Sequence, residues 1–255
     1  MRFLALLGRP VCGVLAYCGD LFGLAGRVTA ALTVAGRRGS RVVRRTTVMQ
    51  VYFTGLEGLG MVASLAVLIG VAMAATIPQR ELLVTLLARG YIREVAALIT
   101  SLVILARSTT AITVELGNMT VAGEIDLLQT LGINPDRHVV VPRVTGVVIA
   151  SLGLTVVAAA VAPFAAAVFL TVTTADASPA SLILAVVDAT QIQDVRVVLS
   201  KSLLFGGILS LCALREGLHL LPFTTEVPKA VSRAVIKALF LLAVTEVTLL
   251  MLTYG

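Results

Sequence analysis

"GLGMVASLAVLIGVAMAATIPQ", Gly58 to Gln79, runs its whole length without an ionisable side chain. About 20 such residues suffice to cross the hydrocarbon core of a bilayer as a helix. A second stretch, Val144 to Ala175, is also free of charge and is interrupted by Pro163. It exceeds what one crossing needs, so it is tilted, kinked or partly outside the membrane. The whole chain follows suit: of 255 residues, 58% are hydrophobic and only 13% charged. A soluble domain carries about 25% charged residues and needs polar side chains on every outward face. The sequence therefore predicts an all-α integral membrane protein.

Three further windows are apolar but carry ionisable residues: Val95 to Val114 encloses Arg107, Val197 to Leu214 encloses Lys201, and Ala238 to Tyr254 encloses Glu246. Charges inside spans seldom face lipid, so they predict a helix bundle with a polar interior, unless Arg107 and Lys201 snorkel to an interface. Glu246 lies well inside its span and is expected to face the interior, either paired with a basic or hydroxyl group or protonated. The expected layout is a basic interfacial region over residues 1–50, then a multi-span membrane domain over 51–255. Its spans are placed at about 51–78, 91–114, 140–172, 195–214 and 234–254.

Val28 to Arg45, "VTAALTVAGRRGSRVVRR", crowds arginines into its second half and reads as an amphipathic segment on an anionic cytoplasmic surface. With five spans and a cytoplasmic N-terminus, most of the 20 Lys and Arg fall inside, leaving Arg80, Arg89, Arg93, Arg196 and Lys201 outside. That asymmetry follows the positive-inside rule and puts the C-terminus on the far side. The net charge of +6 thus concerns membrane placement, and no aromatic interleaving or motif points to nucleic acid. Arg2 and "FLALL" suggest an export signal, but Gly8, Arg9 and Pro10 cut the apolar run short, and Tyr17 spoils "LAYC" as a lipoprotein site. Cys12, Cys18 and Cys212 have neither metal-like nor framework spacing.

Between the second and third spans, "ELGNMTVAGEIDLLQTLGINPDRHVVVPR", Glu115 to Arg143, breaks the apolar pattern. Val121, Ile125 and Leu128 repeat at helical spacing with Met119 and Leu131 nearby, predicting a short helix over about 118–132 with Asn118 or Thr120 as N-cap. Gly132, Ile133 and Pro135 supply its stop. Its polar face carries Glu124 and Asp126, whereas a helix lying on anionic lipid needs a basic face. A protein groove is the better dock, as for a coupling helix seated in a separate ATPase. The chain has no GxxxxGK[ST] loop of its own.

Arg93-Glu94, Ala106-Arg107, Glu115-Leu116-Gly117, Met119, Glu124-Ile125, Leu131-Gly132-Ile133, Asn134-Pro135 and Pro142-Arg143 together resemble the signature of the MlaE/YrbE permease family, the membrane subunits of MCE-associated lipid ABC transporters. The likeness continues through "SKS" at Ser200 to Ser202 and "SRAVIKALFLLAVTE" at Ser232 to Glu246, where the family usually has Asp at the last position. Departures are Val95-Ala96-Ala97 for the family's x-GP, Leu105-Ala106-Arg107 for its AGR, and "PFTTEVPK" for a Gly-rich approach to the last span.

The resemblance implies a second copy of the chain, ABC ATPase subunits that bind ATP and magnesium, an MCE-domain periplasmic protein, and membrane lipid as cargo, in a bacterial inner membrane. It implies no cofactor on this chain and no catalytic residue. Glu115, Met119, Val121, Glu124, Ile125, Asp126, Leu128, Leu131 and Gly132 are the expected ATPase-coupling residues, and Arg93, Glu94, Arg107 and Glu246 the expected lipid path. A secondary transporter of this length should show two corresponding halves, and no repeat is visible. An enzyme would need a nucleophile or metal set, and neither His138 nor His219 has a partner at ligand spacing.

Overall fold

The computed structural model describes the backbone of residues 2–33, 40–173 and 178–254, and the side chains of 16–31, 41–173 and 178–253. Arg37 and Arg38 of the basic run, and the Cys12 side chain, lie outside the described residues. Among the described residues there is no strand, and five helices are long and apolar enough to cross a membrane. They are span 1 (Arg41–Thr76), span 2 (Arg80–Val121), span 3 (Asp136–Thr173), span 4 (Ile192–Leu218) and span 5 (Glu226–Thr253).

Spans 1 and 3 meet through small residues. On span 1 Gly58, Val62, Ala66, Gly70 and Ala74 recur every fourth position and are buried. A Cβ on Gly70 would sit 2.1 Å from the Ala162 carbonyl oxygen, so only glycine allows this approach. Close backbone contact of this kind drives helix association where no hydrophobic effect operates between helices. Span 3 in turn meets span 4 through hydroxyls: Ser151 donates to the Ser202 carbonyl at 3.1 Å, and Thr155 to the Ser202 hydroxyl at 2.9 Å. Tyr91 of span 2 donates to the Ala158 carbonyl at 3.1 Å.

Span 2 differs most from expectation. A span over 91–114 is predicted, but the helix starts at Arg80 and is 42 residues long, about 60 Å. Hydropathy windows stop at charges, whereas a helix continues through them if they are paired. Two stretches, Leu86–Val95 and Leu105–Thr109, are wound as wider π-type turns, and they contain Arg93, Glu94 and Arg107. Where the resembled family has a Gly-Pro pair, Ala96 and Ala97 are buried within continuous helix.

The N-terminal region also divides differently. Arg41, Arg44 and Arg45 belong to the head of span 1's helix, because nothing between Ser40 and Thr76 breaks it. The separate preceding helix is Arg2–Thr33. Its Tyr17, Leu21, Leu24 and Val28 are buried along one stripe against the bundle. A short apolar helix unforeseen from the sequence, Pro179–Ala189, lies between spans 3 and 4, and Arg80 at the head of span 2 donates to Ser181 there at 2.8 Å.

Candidate functional site

Spans 2, 4 and 5 bring five ionisable side chains together in the bundle. Arg93 Nε lies 3.3 Å from Glu94 Oε1, and Arg93 Nη1 lies 3.2 Å from Asp194 Oδ1. Lys201 Nζ donates to Glu94 Oε2 and, at 2.9 Å, to Glu246 Oε1. The Lys201 side chain is only 1% exposed, so it does not snorkel; it is neutralised in place by two carboxylates. Asp194 also accepts the backbone N–H of Gln191 at 3.0 Å, which fixes it at the first turn of span 4. Two cations thus meet three carboxyl groups, and Glu246 Oε2 is buried with no hydrogen-bond partner among the described residues.

The structure gives Arg93, Glu94 and Glu246 ion partners inside the bundle. The first two pair with each other and with Asp194 and Lys201 of span 4, more than three turns inside span 2 instead of at its start. Glu246 faces the interior and pairs with Lys201. Sequence reasoning missed Asp194; its signal was the three-residue spacing from Gln191 at a helix start. Arg107 stands apart from the cluster, donating to the Phe53 carbonyl at 2.9 Å and to Glu57, both on span 1.

At the basic end the connecting stretch is two helices, not one. Gly123 adopts φ +73° and ends span 2's helix, so Met119 and Val121 belong to its last turns. The loop helix is Glu124–Thr130, with Gly123 in the N-cap position; Asn118 and Thr120 are interior to span 2. Thr120 donates instead to the carbonyls of Leu116 at 2.9 Å and Gly217 at 3.1 Å. Gly132 ends the loop helix as expected, at φ +73°, and its N–H bonds Gln129 while the Ile133 N–H bonds Leu128, both at 2.9 Å. That is a Schellman closure, which satisfies carbonyls left free by the last turn.

The apolar face of the loop helix also turns out split. Ile125 and Leu128 are half-buried against the bundle core. Leu127 and Leu131 are exposed, at 58% and 65%, beside exposed Glu124 and Asp126. Periodicity locates an apolar face without saying which side of it the bundle occupies. Glu115 and Met119 both contact Arg143 at the head of span 3, the carboxylate at 2.7 Å and the sulfur at 3.7 Å.

A second ion cluster holds the N-terminal helix at this end. Buried Glu216 accepts from Arg215 at 2.8 Å, Lys237 at 2.9 Å and Arg233 at 3.3 Å. Arg215 also donates to Asp20 at 2.6 Å. The Tyr17 ring lies 4.2 Å from the Arg215 guanidinium carbon and 4.4 Å from Lys237 Nζ. The Arg215 hydrogen bond holds the Asp20 carboxyl below its ordinary range, and burial pushes the Tyr17 hydroxyl up. Among the described residues no group of three or more His, Cys, Asp or Glu side chains is arranged to hold a metal ion.

Comparison with known proteins agrees with this architecture. The chain is 25% identical over 218 residues to a probable ABC transporter permease protein of Synechocystis sp., covering 81% of each chain. It is 31% identical over 107 residues to protein TRIGALACTOSYLDIACYLGLYCEROL 1, chloroplastic, of Arabidopsis thaliana, covering 39% of this chain and 31% of that one. A family model described as Permease MlaE matches residues 47–252, which takes in all but the head of span 1 and every later span. On that match the chain belongs to the MlaE permease family.

Proposed function

We propose that this protein is the lipid-moving membrane subunit of an ABC transporter, working as two copies over separate ATPase subunits and beneath an MCE-domain protein. That it is a multi-pass permease subunit rather than an enzyme follows from its family and its spans. The lipid cargo is supported by the family and by the Arabidopsis relative, whose name is that of a glycolipid. In this reading ATP and magnesium are handled by the ATPase. The basic end, with the N-terminal helix and the loop helix, faces the cytoplasm of a bacterial cell, and the C-terminus faces the periplasm.

The observation that carries the ATP-driven reading is the loop helix. Glu124–Thr130 is fastened to the bundle by Ile125 and Leu128 and presents Leu127, Leu131, Glu124 and Asp126 outward. An exposed apolar pair rimmed by acids suits a groove in a partner with basic edges, where the charges set register. A push on this helix is delivered to span 2 through Gly123 and to span 3 through the Asn134-Pro135 turn. Span 2 is bonded to span 4 through Arg93–Asp194 and Glu94–Lys201, and Lys201 passes the tie on to Glu246 of span 5, so a displacement of span 2 must carry them along or exchange ion partners.

The test is reconstitution with the cognate ATPase in liposomes holding a fluorescent phospholipid. ATP-dependent transfer to an acceptor is the expected result. Transfer that is indifferent to ATPase and ATP would contradict the reading.

A further inference from the structure

We propose that the turn joining spans 4 and 5, Leu221-Pro222-Phe223, is a second docking point for the ATPase, set beside the loop helix and opposite to it in charge. This contact rests on the ATP-driven reading above and adds a handle on spans 4 and 5.

The turn is held in one shape. The Phe223 N–H donates to the Leu221 carbonyl at 2.6 Å across Pro222, whose ring fixes the backbone there. The N–H groups of Glu226 and Val227 then bond the Phe223 and Thr224 carbonyls at 3.0 and 3.3 Å, which starts span 5. Leu220 and Val227 close over Gly117 of span 2 from either side of the turn: a Cβ on Gly117 would lie 2.9 Å from Leu220 and 3.3 Å from Val227. Leu221 and Phe223 are left 63% and 60% exposed, with Pro222 exposed between them. Single apolar side chains are scattered over any surface, but an exposed apolar run on a rigid backbone is a binding feature.

The bilayer does not reach this run. Arg215, Arg233 and Lys237 gather on Glu216 and mark the polar rim of spans 4 and 5. From Arg233 back to Glu226 the span 5 helix climbs about 10 Å past that rim before the turn begins. The headgroup layer is only about 5–8 Å deep on each side. Glu216 at one end of this stem and Gly117 at the other keep it alongside spans 4 and 2, not flat on the membrane. Leu221 and Phe223 therefore stand clear of lipid, and a protein is what covers them.

Place and charge name the occupant. Gly117, beneath Leu220, lies on the same end of span 2 that Gly123 closes, about 9 Å away along the axis. The loop helix carries Glu124 and Asp126, whereas the turn is rimmed by Lys229 and Arg233, which share Glu226 between them. A single partner surface with one basic and one acidic seat takes both, and the opposite signs fix its orientation. The ATPase is the protein that the loop helix brings to this end. With two handles, the loop helix moves spans 2 and 3 and the turn moves spans 4 and 5. A partner that changes the distance between its seats slides one group against the other and loads Arg93–Asp194 and Glu94–Lys201.

The test uses the full chain coexpressed with its cognate ATPase and placed in nanodiscs of phosphatidylethanolamine and phosphatidylglycerol. Phe223 is replaced by the photoreactive p-benzoylphenylalanine, and the products of irradiation are identified by mass spectrometry. Permease joined to ATPase is the expected product. Leu221→Asp with Phe223→Asp should lower the ATPase retained about tenfold with insertion unchanged, and Phe223→Leu should keep most of it. Lys229→Glu should lower it about threefold, since exposed rim charges contribute less.

Label confined to lipid would make the turn a membrane anchor, and label confined to a second copy would make it an interface between copies; either result overturns the assignment. So would full ATPase retention in the double Asp variant. If the ATPase copurifies with the unaltered chain yet is never labelled, this contact alone falls. If no ATPase stays on the unaltered chain, the ATP-driven reading falls with it.

Discussion

Lys201→Met removes the cation that Glu94 and Glu246 share while keeping most of the side chain's volume. Glu94 retains Arg93 at 3.3 Å, so the group left without a cation is Glu246, whose other oxygen already has no partner among the described residues. Lys201 is 1% exposed, and breaking a pair this deeply buried costs about 3–5 kcal/mol, most of it from the uncompensated charge left behind. The retained Arg93–Glu94 contact puts the expectation near the lower end, about 3 kcal/mol. Lys201→Met with Glu246→Gln removes the orphaned charge and should recover about 1–2 kcal/mol of that loss. The chain has no Trp, so unfolding is best followed with a thiol-reactive dye at fully buried Cys212, alongside circular dichroism in increasing SDS. If Lys201→Met lies within about 0.5 kcal/mol of the parent, as an ordinary surface change would, the ion network does not hold the spans together. A double variant less stable than Lys201→Met would refute the reasoning about Glu246.

Gly132→Val should destabilise the loop helix by about 1–2 kcal/mol, since φ is +73° and no atom lies within 4 Å of a new Cβ, so only backbone strain acts; hydrogen exchange at Leu128 to Ile133 would report it. Gly70→Ala should weaken the bundle by about 1–3 kcal/mol or more, because the new methyl meets the Ala162 backbone, whereas Gly153→Ala, with open space, should be near neutral in the same SDS titration. The tie from Asp20 to Arg215 should depend on acid. Asp20 has a lowered folded value, so its contribution is present above the ordinary carboxylate range and is lost as pH falls through that folded value. Proteolysis of the N-terminal helix should therefore quicken in strong acid, and Asp20→Asn should flatten the profile.

The spans were legible because lipid permits only long apolar helices, and Gly132 with Pro135 announced a helix end by backbone chemistry alone. The partners of the intramembrane charges were not legible. Arg93 meets Asp194, and Glu94 meets Lys201, across about a hundred residues of sequence, and no local spacing encodes such a pair. The inward turn of Ile125 and Leu128 was hidden for a related reason: in a membrane protein both the bundle and its docking partners accept apolar side chains. The helix predicted over about 118–132 runs through Gly123, and only its positive φ reveals the break that makes the loop helix a separate element. The Glu216 cluster escaped because Tyr17, Asp20, Arg215 and Lys237 are brought together from the N-terminal helix and two spans.

The central claim, that an ATPase drives this permease through the outward face of the loop helix, is tested most directly by Leu127→Asp with Leu131→Asp. The two positions are 58% and 65% exposed, so the folded permease should insert and remain monodisperse. Measured together, ATPase retained on the purified permease and lipid moved per ATP hydrolysed should both fall by about tenfold or more, the scale of losing an apolar anchor at an interface. Full retention of the ATPase with unchanged transfer per ATP would contradict the account.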